Sequence, residues 1–196
     1  QVTAQSMSGK IILINGASSS GKSTLAQALQ EQLPLPFWRY SIDHLRAAKV
    51  LPWPRIDSGE FSWPSLRQQF FDGFHRSIPA LAVAGNNLIV EHIVETRAWM
   101  HQLLELLADY DVFFVGVHCA VEELERRERL RGNRRIGEAR ADFEVTHTFG
   151  RYDFECSSIE ATDLVVAQVI KAWAARSRPS AFASMRSELG STSSAV

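Results

Sequence analysis

The sequence predicts an α/β domain built on a parallel sheet of five strands with helices on both faces. Short, wholly apolar runs alternate with amphipathic stretches along the chain. The glycine-containing segment Gly16–Ser23 joins the first such run to the first such stretch. A length of 196 residues with 45% hydrophobic content suits one core. Strands that alternate with helices lie parallel, because each crossover returns the chain to the same edge of the sheet.

Ile11-Ile12-Leu13-Ile14 has no polar alternation and reads as a strand buried on both faces. From Lys22 to Leu33, the residues Leu25, Ala26, Leu29 and Leu33 recur at helical spacing until Pro34 and Pro36 stop the helix. Phe37–Ile42 is expected as a second strand ending at Asp43. Leu51–Pro64, with its prolines, Trp53, Gly59 and Trp63, is expected as a loop with a short hairpin. Leu66–Ala84 predicts a helix with Phe70, Phe71, Phe74, Ile78 and Leu81 on one side and a kink at Pro79. Asn87–Val90 predicts a third strand ending at Glu91-His92. A helix over Trp99–Ala108, a strand over Val112–Val117 and a charged helix over Val121–Leu130 follow. Tyr152–Cys156 reads as the fifth strand and Glu160–Ala175 as the last helix. No internal repeat is present.

These elements make residues 9–177 one domain. Residues 1–8 are expected as a flexible N-terminus, with Met7 the natural initiator and Gln1–Ser6 vector-derived. Residues 178–196, rich in Ser and small side chains, are expected as a disordered or loosely docked tail. The 21 Lys and Arg against 22 Asp and Glu leave a net charge of −1, which gives no general electrostatic case for nucleic acid or anionic membrane as partner. Cys119 and Cys156 suit two reduced, buried thiols better than a disulfide scaffold. No apolar run approaches the roughly 18 residues of a membrane span. A soluble, cytoplasmic protein is expected.

Gly16-Ala17-Ser18-Ser19-Ser20-Gly21-Lys22-Ser23-Thr24 has the spacing of a phosphate-binding loop, with a buried strand before it and a helix after it. Glycines let the backbone wrap a phosphate chain with successive N–H groups pointing inward, and the helix adds the positive end of its dipole. Lys22 can bridge the β- and γ-phosphates, and the Ser23 hydroxyl can ligate Mg²⁺. Lysine occurs only as Lys10, Lys22, Lys49 and Lys171, so a lysine here is not background composition. Nucleoside triphosphate binding is the resulting expectation, with ATP and Mg²⁺ as cofactors.

No Asn-Lys-x-Asp segment selects guanine, and Leu88-Ile89-Val90-Glu91 runs into His92 rather than ending in Asp-Glu. The compact kinase group remains, so an acceptor-activating carboxylate and an arginine lid are expected. Asp43, at the carboxyl end of the second strand, can accept a hydroxyl proton or help position Mg²⁺; it can equally cap a helix, and the two roles are compatible. Glu91 can hold a metal-bound water or a substrate hydroxyl, or be a solvated strand end. His92 joins the candidate acceptor site, although it reads more readily as a hydrogen-bonded structural histidine. The lid candidates are Arg126, Arg127, Arg129, Arg131, Arg134, Arg135 and Arg140, over about 130–142. Pairing with Glu122, Glu123, Glu125 and Glu128 on a solvated face accounts for Arg126 and Arg129. It accounts poorly for Arg131 and Arg134, which flank the helix-breaking Gly132-Asn133.

Ile11–Lys22, Tyr40-Ser-Ile-Asp43, Val115-Gly-Val-His-Cys119, Arg131-Gly-Asn-Arg134 and Tyr152-Asp153 together resemble the chloramphenicol phosphotransferase family, in register from about Ile11 to Trp173. The resemblance implies a P-loop NTPase (kinase-like) three-layer sandwich and transfer of the ATP γ-phosphate to a primary hydroxyl of an antibiotic. It implies Asp43 as general base and Arg131 and Arg134 as lid arginines beside Lys22 and Ser23, and Glu91 falls where that family has an acidic residue. Arg127 is separately expected on the nucleotide. The chain departs from the family most over Leu51–Pro64, where Trp53, Phe61 and Trp63 can line a pocket for a ring-bearing acceptor or simply pack under the loop. A nucleoside or metabolite kinase on the same scaffold and a nucleotide-binding module without turnover are the alternatives.

Overall fold

The computed structural model describes residues 8–132 and 135–193. The elements run β1 (Ile11–Asn15), α1 (Lys22–Gln32), β2 (Phe37–Ser41), α2 (Ile42–Ala47), α3 (Trp53–Asp57), α4 (Trp63–Val83) and β3 (Asn87–His92). Then follow α5 (Arg97–Leu107), β4 (Val112–His118), α6 (Val121–Arg131), α7 (Glu138–Val145), β5 (Phe154–Ser157), α8 (Thr162–Ala174) and α9 (Ala181–Ser193). Five parallel strands pair in the order β2-β3-β1-β4-β5. The chain leaves β1 toward one edge of the sheet and later leaves β3 toward the other. The loop after β1 therefore lies where the strand order reverses, at the carboxyl edge where open α/β sheets bind ligands.

Each face of the sheet has its own core. Ile11, Leu13, Leu88, Val90 and Phe114 meet Phe74, Ile78, Leu103 and Leu107 from α4 and α5. Ile12, Ile14, Ile89, Phe113 and Val115 meet Leu25, Leu29, Val166, Val169 and Trp173 from α1 and α8. Ile11 to Ile14 have no accessible surface, which is why this strand carries no polar alternation. Among the described residues no helix is long and apolar enough to cross a membrane.

Three sequence expectations are corrected. Trp53–Asp57 is a short helix rather than a hairpin strand, with Pro54 in its first turn, where a missing N–H costs nothing. The following helix starts at Trp63, again with a proline in the first turn, and continues through Pro79. The expected tail is helical over Ala181–Ser193: Phe182, Met185 and Leu189 fall on one face and join the core against α5 and β4. Phe182 has no accessible surface. Asp153 ties this helix down, accepting from the N–H groups of Phe114 and Ala181, each at 2.8 Å.

Candidate active site

The turn from β1 into α1 is a cradle. Ser19 (φ 64°) and Gly21 (φ 96°) both adopt left-handed backbone and deliver the chain to the N-terminus of α1, whose first N–H groups have no partner within the helix. A side chain on Gly16 would bring its Cβ to 2.7 Å from the Val117 carbonyl oxygen, so only glycine lets the loop lie against β4. Ala17 packs with Cys119, Leu124 and Ala139, clipping the loop to α6 and α7. The hydroxyls of Ser19 and Ser20 are buried without a protein partner among the described residues. Lys22 Nζ donates to the carbonyls of Gly16 at 2.6 Å and Ala17 at 2.7 Å, folding back over the loop.

The parallel register sets the carboxylates beside this cradle. Ile14 is opposite Glu91, Asn15 opposite His92, and Ser41 opposite Glu91. Ser23 Oγ donates to Glu91 Oε1 at 2.6 Å, and Arg39 reaches Glu91 Oε2 at 3.2 Å. Glu91 is buried, so it is no solvated strand end. Ser41, not Asp43, caps α2, its side chain accepting from the His44 N–H. Asp43 sits in the first turn of that helix and lines the same cavity as Lys22, Ser23 and Glu91.

That cavity, about 510 Å³, is also walled by Arg46, Trp63, Arg67, Phe71, His92 and Glu95, and by Arg131, Arg135, Glu138 and Asp142 from the lid side. Trp53 does not reach it. Its ring lies 5.2 Å from that of Trp63, with the Arg46 guanidinium 4.8 Å from the centre of the Trp53 ring, so Trp53 braces two wall residues. His92 is buried, stacks on Trp99 at 5.6 Å, and holds its Nε2 2.8 Å from His75 Nε2. Burial keeps His92 well below the usual histidine range, with repulsion from His75 and Lys22 adding to it.

A second cavity of about 380 Å³ opens on the far side of the loop, lined by Gly21, Thr24, Leu25, Val117, Leu130, Cys156 and Val165. Arg127 forms part of its wall, held by Glu123 at 2.6 Å, by Ser158 Oγ at 3.1 Å and by the Ser158 carbonyl at 3.2 Å. Arg131, the last residue of α6, lines both cavities. Burial pushes the Cys156 thiol up to about 11, so it stays protonated. Arg134 lies outside the described residues. Arg126 and Arg140 pair with Glu123 and Glu125 on the surface.

Several site residues were not foreseen. Glu128, expected on a solvated face, is buried and accepts from the N–H groups of Gly137 and Ala139, both at 2.9 Å, supplying the cap that Gly137 cannot. Asp142 on α7 accepts the Ser18 N–H at 3.0 Å, and burial raises its pKa despite that bond. Asn15 donates to the Thr146 carbonyl and the Tyr152 hydroxyl and accepts from Val94 N–H, all at 2.9 Å, tying the loop entrance to α7 and to the loop after β3. Tyr152 in turn explains Gly116: a Cβ there would lie 2.6 to 2.9 Å from the tyrosine ring.

The sequence profile of the chloramphenicol phosphotransferase-like proteins matches residues 9–174. The chain belongs to this family. A Mycobacterium tuberculosis relative, described provisionally as an O-phosphotransferase, is 32% identical over 75% of this chain and 74% of its own. Similar solved structures include the APS kinase CysC of M. tuberculosis in complex with AMPPNP and APS (TM-score 0.64, 20% identity, 84% of this chain and 97% of that one). A gluconokinase from Sinorhizobium meliloti follows the same fold (TM-score 0.56, 17% identity, 86% and 93%). So does a tunicamycin resistance protein from Deinococcus radiodurans (TM-score 0.56, 19% identity, 86% and 97%). Family and fold together make this a kinase-like phosphotransferase with a nucleotide-binding phosphate loop.

Proposed function

We propose that the chain transfers the γ-phosphate of ATP, with Mg²⁺, to a hydroxyl of a small molecule of the chloramphenicol type. The observation that carries this reading is one cavity that holds the phosphate loop, the Ser23–Glu91 pair, Asp43 and Arg131 together.

The residues suit such a nucleotide. The N–H groups of the first turn of α1 and the buried hydroxyls of Ser19 and Ser20 can donate to phosphate oxygens, and Lys22 can leave its carbonyl partners for them. Gly16, Ala17, Ser18 and Gly21 contribute backbone, while Thr24 and Arg127 border the cavity that suits the base and ribose. Ser23, oriented by Glu91, would be a protein ligand to Mg²⁺ bound with the nucleotide. Bound Mg²⁺ and ATP supply the transferable phosphoryl group and part of the charge neutralisation.

Asp43 then takes the proton of the acceptor hydroxyl, which makes the oxygen a competent nucleophile. Lys22 and Arg131 offset negative charge at the transferring group, and Arg134 has the same role from the lid. Trp63 and Phe71 offer a ring-bearing acceptor an apolar wall beside the phosphate loop, with Trp53 behind Trp63. A metabolite kinase is the second reading, favoured by the charged part of the wall at Arg46, Arg67 and Glu95.

The test is incubation of the purified protein with Mg²⁺ and ATP and a panel of hydroxyl-bearing antibiotics, including chloramphenicol, alongside sugars and nucleosides. A mass gain of one phosphate on an antibiotic supports the reading. Gain on a sugar or nucleoside alone supports the second, and ATP binding without any phosphorylated product overturns both.

A further inference from the structure

A buried polar chain runs from the outer surface of α4 to the wall of the acceptor cavity. The Asp72 carboxylate accepts from Gln102 Nε2. Gln102 Oε1 lies 2.7 Å from His75 Nδ1, and His75 Nε2 lies 2.8 Å from His92 Nε2. Neither His75 nor His92 has appreciable accessible surface, and the pair is enclosed by Phe71, Phe74 and Trp99. Nothing in phosphate transfer as described uses this chain.

Its direction is forced by one end. Asp72 is ionised, because the Arg76 guanidinium and the Gln102 amide both favour its charged form, and an ionised carboxylate can only accept. Gln102 must therefore turn its NH₂ to Asp72 and its oxygen to His75. That oxygen can only accept, so His75 carries its proton on Nδ1. The lone pair of His75 Nε2 then accepts from His92, which must carry its proton on Nε2. Burial holds both rings neutral, so neither has a second proton to spend. Each link leaves the next one choice.

We infer that Asp72, Gln102 and His75 fix His92, which lines the cavity, as the Nε2–H tautomer, so that its Nδ1 is left as an acceptor for an O–H or N–H of the bound small molecule. His92 is thereby a specificity-determining residue, and the other three are positioning residues that act through it. A compound offering only a lone pair at that point meets a lone pair, whereas one offering a hydrogen is held beside Glu91 and the phosphate loop. The tautomer stands on the hydrogen-bond chain and the burial of both rings; the specificity role rests on the phosphotransferase reading above.

The experiment is long-range ¹H–¹⁵N correlation of histidine-labelled full-length protein without ligand at pH 7.5, on the parent and on Asp72→Lys. The parent is expected to show His92 protonated on Nε2 and His75 on Nδ1. A lysine at position 72 donates where the carboxylate accepted, which turns the Gln102 amide and reverses both tautomers. The same variant is expected to raise KM for the phosphorylated panel compound at least tenfold while KM for ATP holds within twofold. Asp72→Asn, which keeps the size of the side chain, should give a mixture of tautomers and an intermediate KM. An Nδ1–H tautomer of His92 in the parent, or tautomers unmoved by Asp72→Lys, overturns the relay. Reversed tautomers with an unchanged acceptor KM overturn the specificity role. Failure of the parent to phosphorylate any compound counts against the proposed activity and leaves the tautomer result to decide the relay.

Discussion

Ser23 Oγ donates to Glu91 Oε1 at 2.6 Å, and the other oxygen of Glu91 faces Arg39. One carboxylate thus orients the hydroxyl of the phosphate loop and offsets a guanidinium that is itself four-fifths covered. Glu91→Ala removes the acceptor of Ser23 Oγ and leaves Arg39 only the Ser23 carbonyl at 3.3 Å, and breaking such a pair is costly because the remaining charge stays desolvated. Allowing for the exposed fifth of Arg39, a loss of about 1–3 kcal/mol is expected in urea unfolding, together with at least tenfold weaker Mg²⁺–ATP binding. Glu91→Gln, which keeps one acceptor for Ser23, should lie between the variant and the parent on both measures.

Asp142 places a carboxylate on the Ser18 N–H, inside the phosphate loop. A negative group there competes with, and repels, a phosphate chain. Asp142→Ala is expected to tighten ATP binding several-fold in titration calorimetry. Unchanged or weaker binding would show that the lid carboxylate does not contest the loop.

The buried histidines give a pH dependence with a defined sign. Burial, reinforced by neighbouring His118, pushes His147 down to about 4, and His75 and His92 are shifted in the same direction. Between about 4 and the unfolded value of about 6.5, the unfolded chain binds protons that the folded chain does not. Stability therefore rises with pH across that window, is complete above about 6.5, and is lost as pH falls through about 4. The slope is at most about 1.4 kcal/mol per pH unit for each such proton. Urea midpoints measured from pH 4 to 8 should show it, and His147→Gln should flatten it.

The C-terminal helix is part of the core. Phe182 packs edge-on against Phe114, with ring centroids 5.0 Å apart, and is wholly buried. Phe182→Ala is expected to cost about 3–5 kcal/mol, read as a fall in the urea midpoint. Truncation before Ala181 should be worse, since it also leaves Asp153 without the N–H it caps and uncovers Met100 and Phe114.

What the sequence revealed and what it hid divide along physical lines. The phosphate loop, the strand ends before Asp43 and at Glu91-His92, and Arg131 ahead of Gly132 are local patterns, readable because spacing and flanking elements define them. Asp142, Glu128 and the His75–His92 chain depend on partners far away in sequence, so no window around any of them carries the signal. Phe182, Met185 and Leu189 did have helical spacing, but the serine-rich composition around them obscured it. Trp53 and Trp63 were equivalent in the sequence; only the packing puts Trp63 in the cavity wall and Trp53 behind it.

The role proposed for Asp43 is to activate an acceptor hydroxyl at the phosphate loop. The most direct measurement compares the rate of phosphate transfer to the acceptor identified by mass in the parent and in Asp43→Asn, with ATP affinity determined in parallel. ATP binding is expected within twofold of the parent, with a transfer rate lower by about 10²–10⁴. Transfer at the parental rate in Asp43→Asn would contradict it.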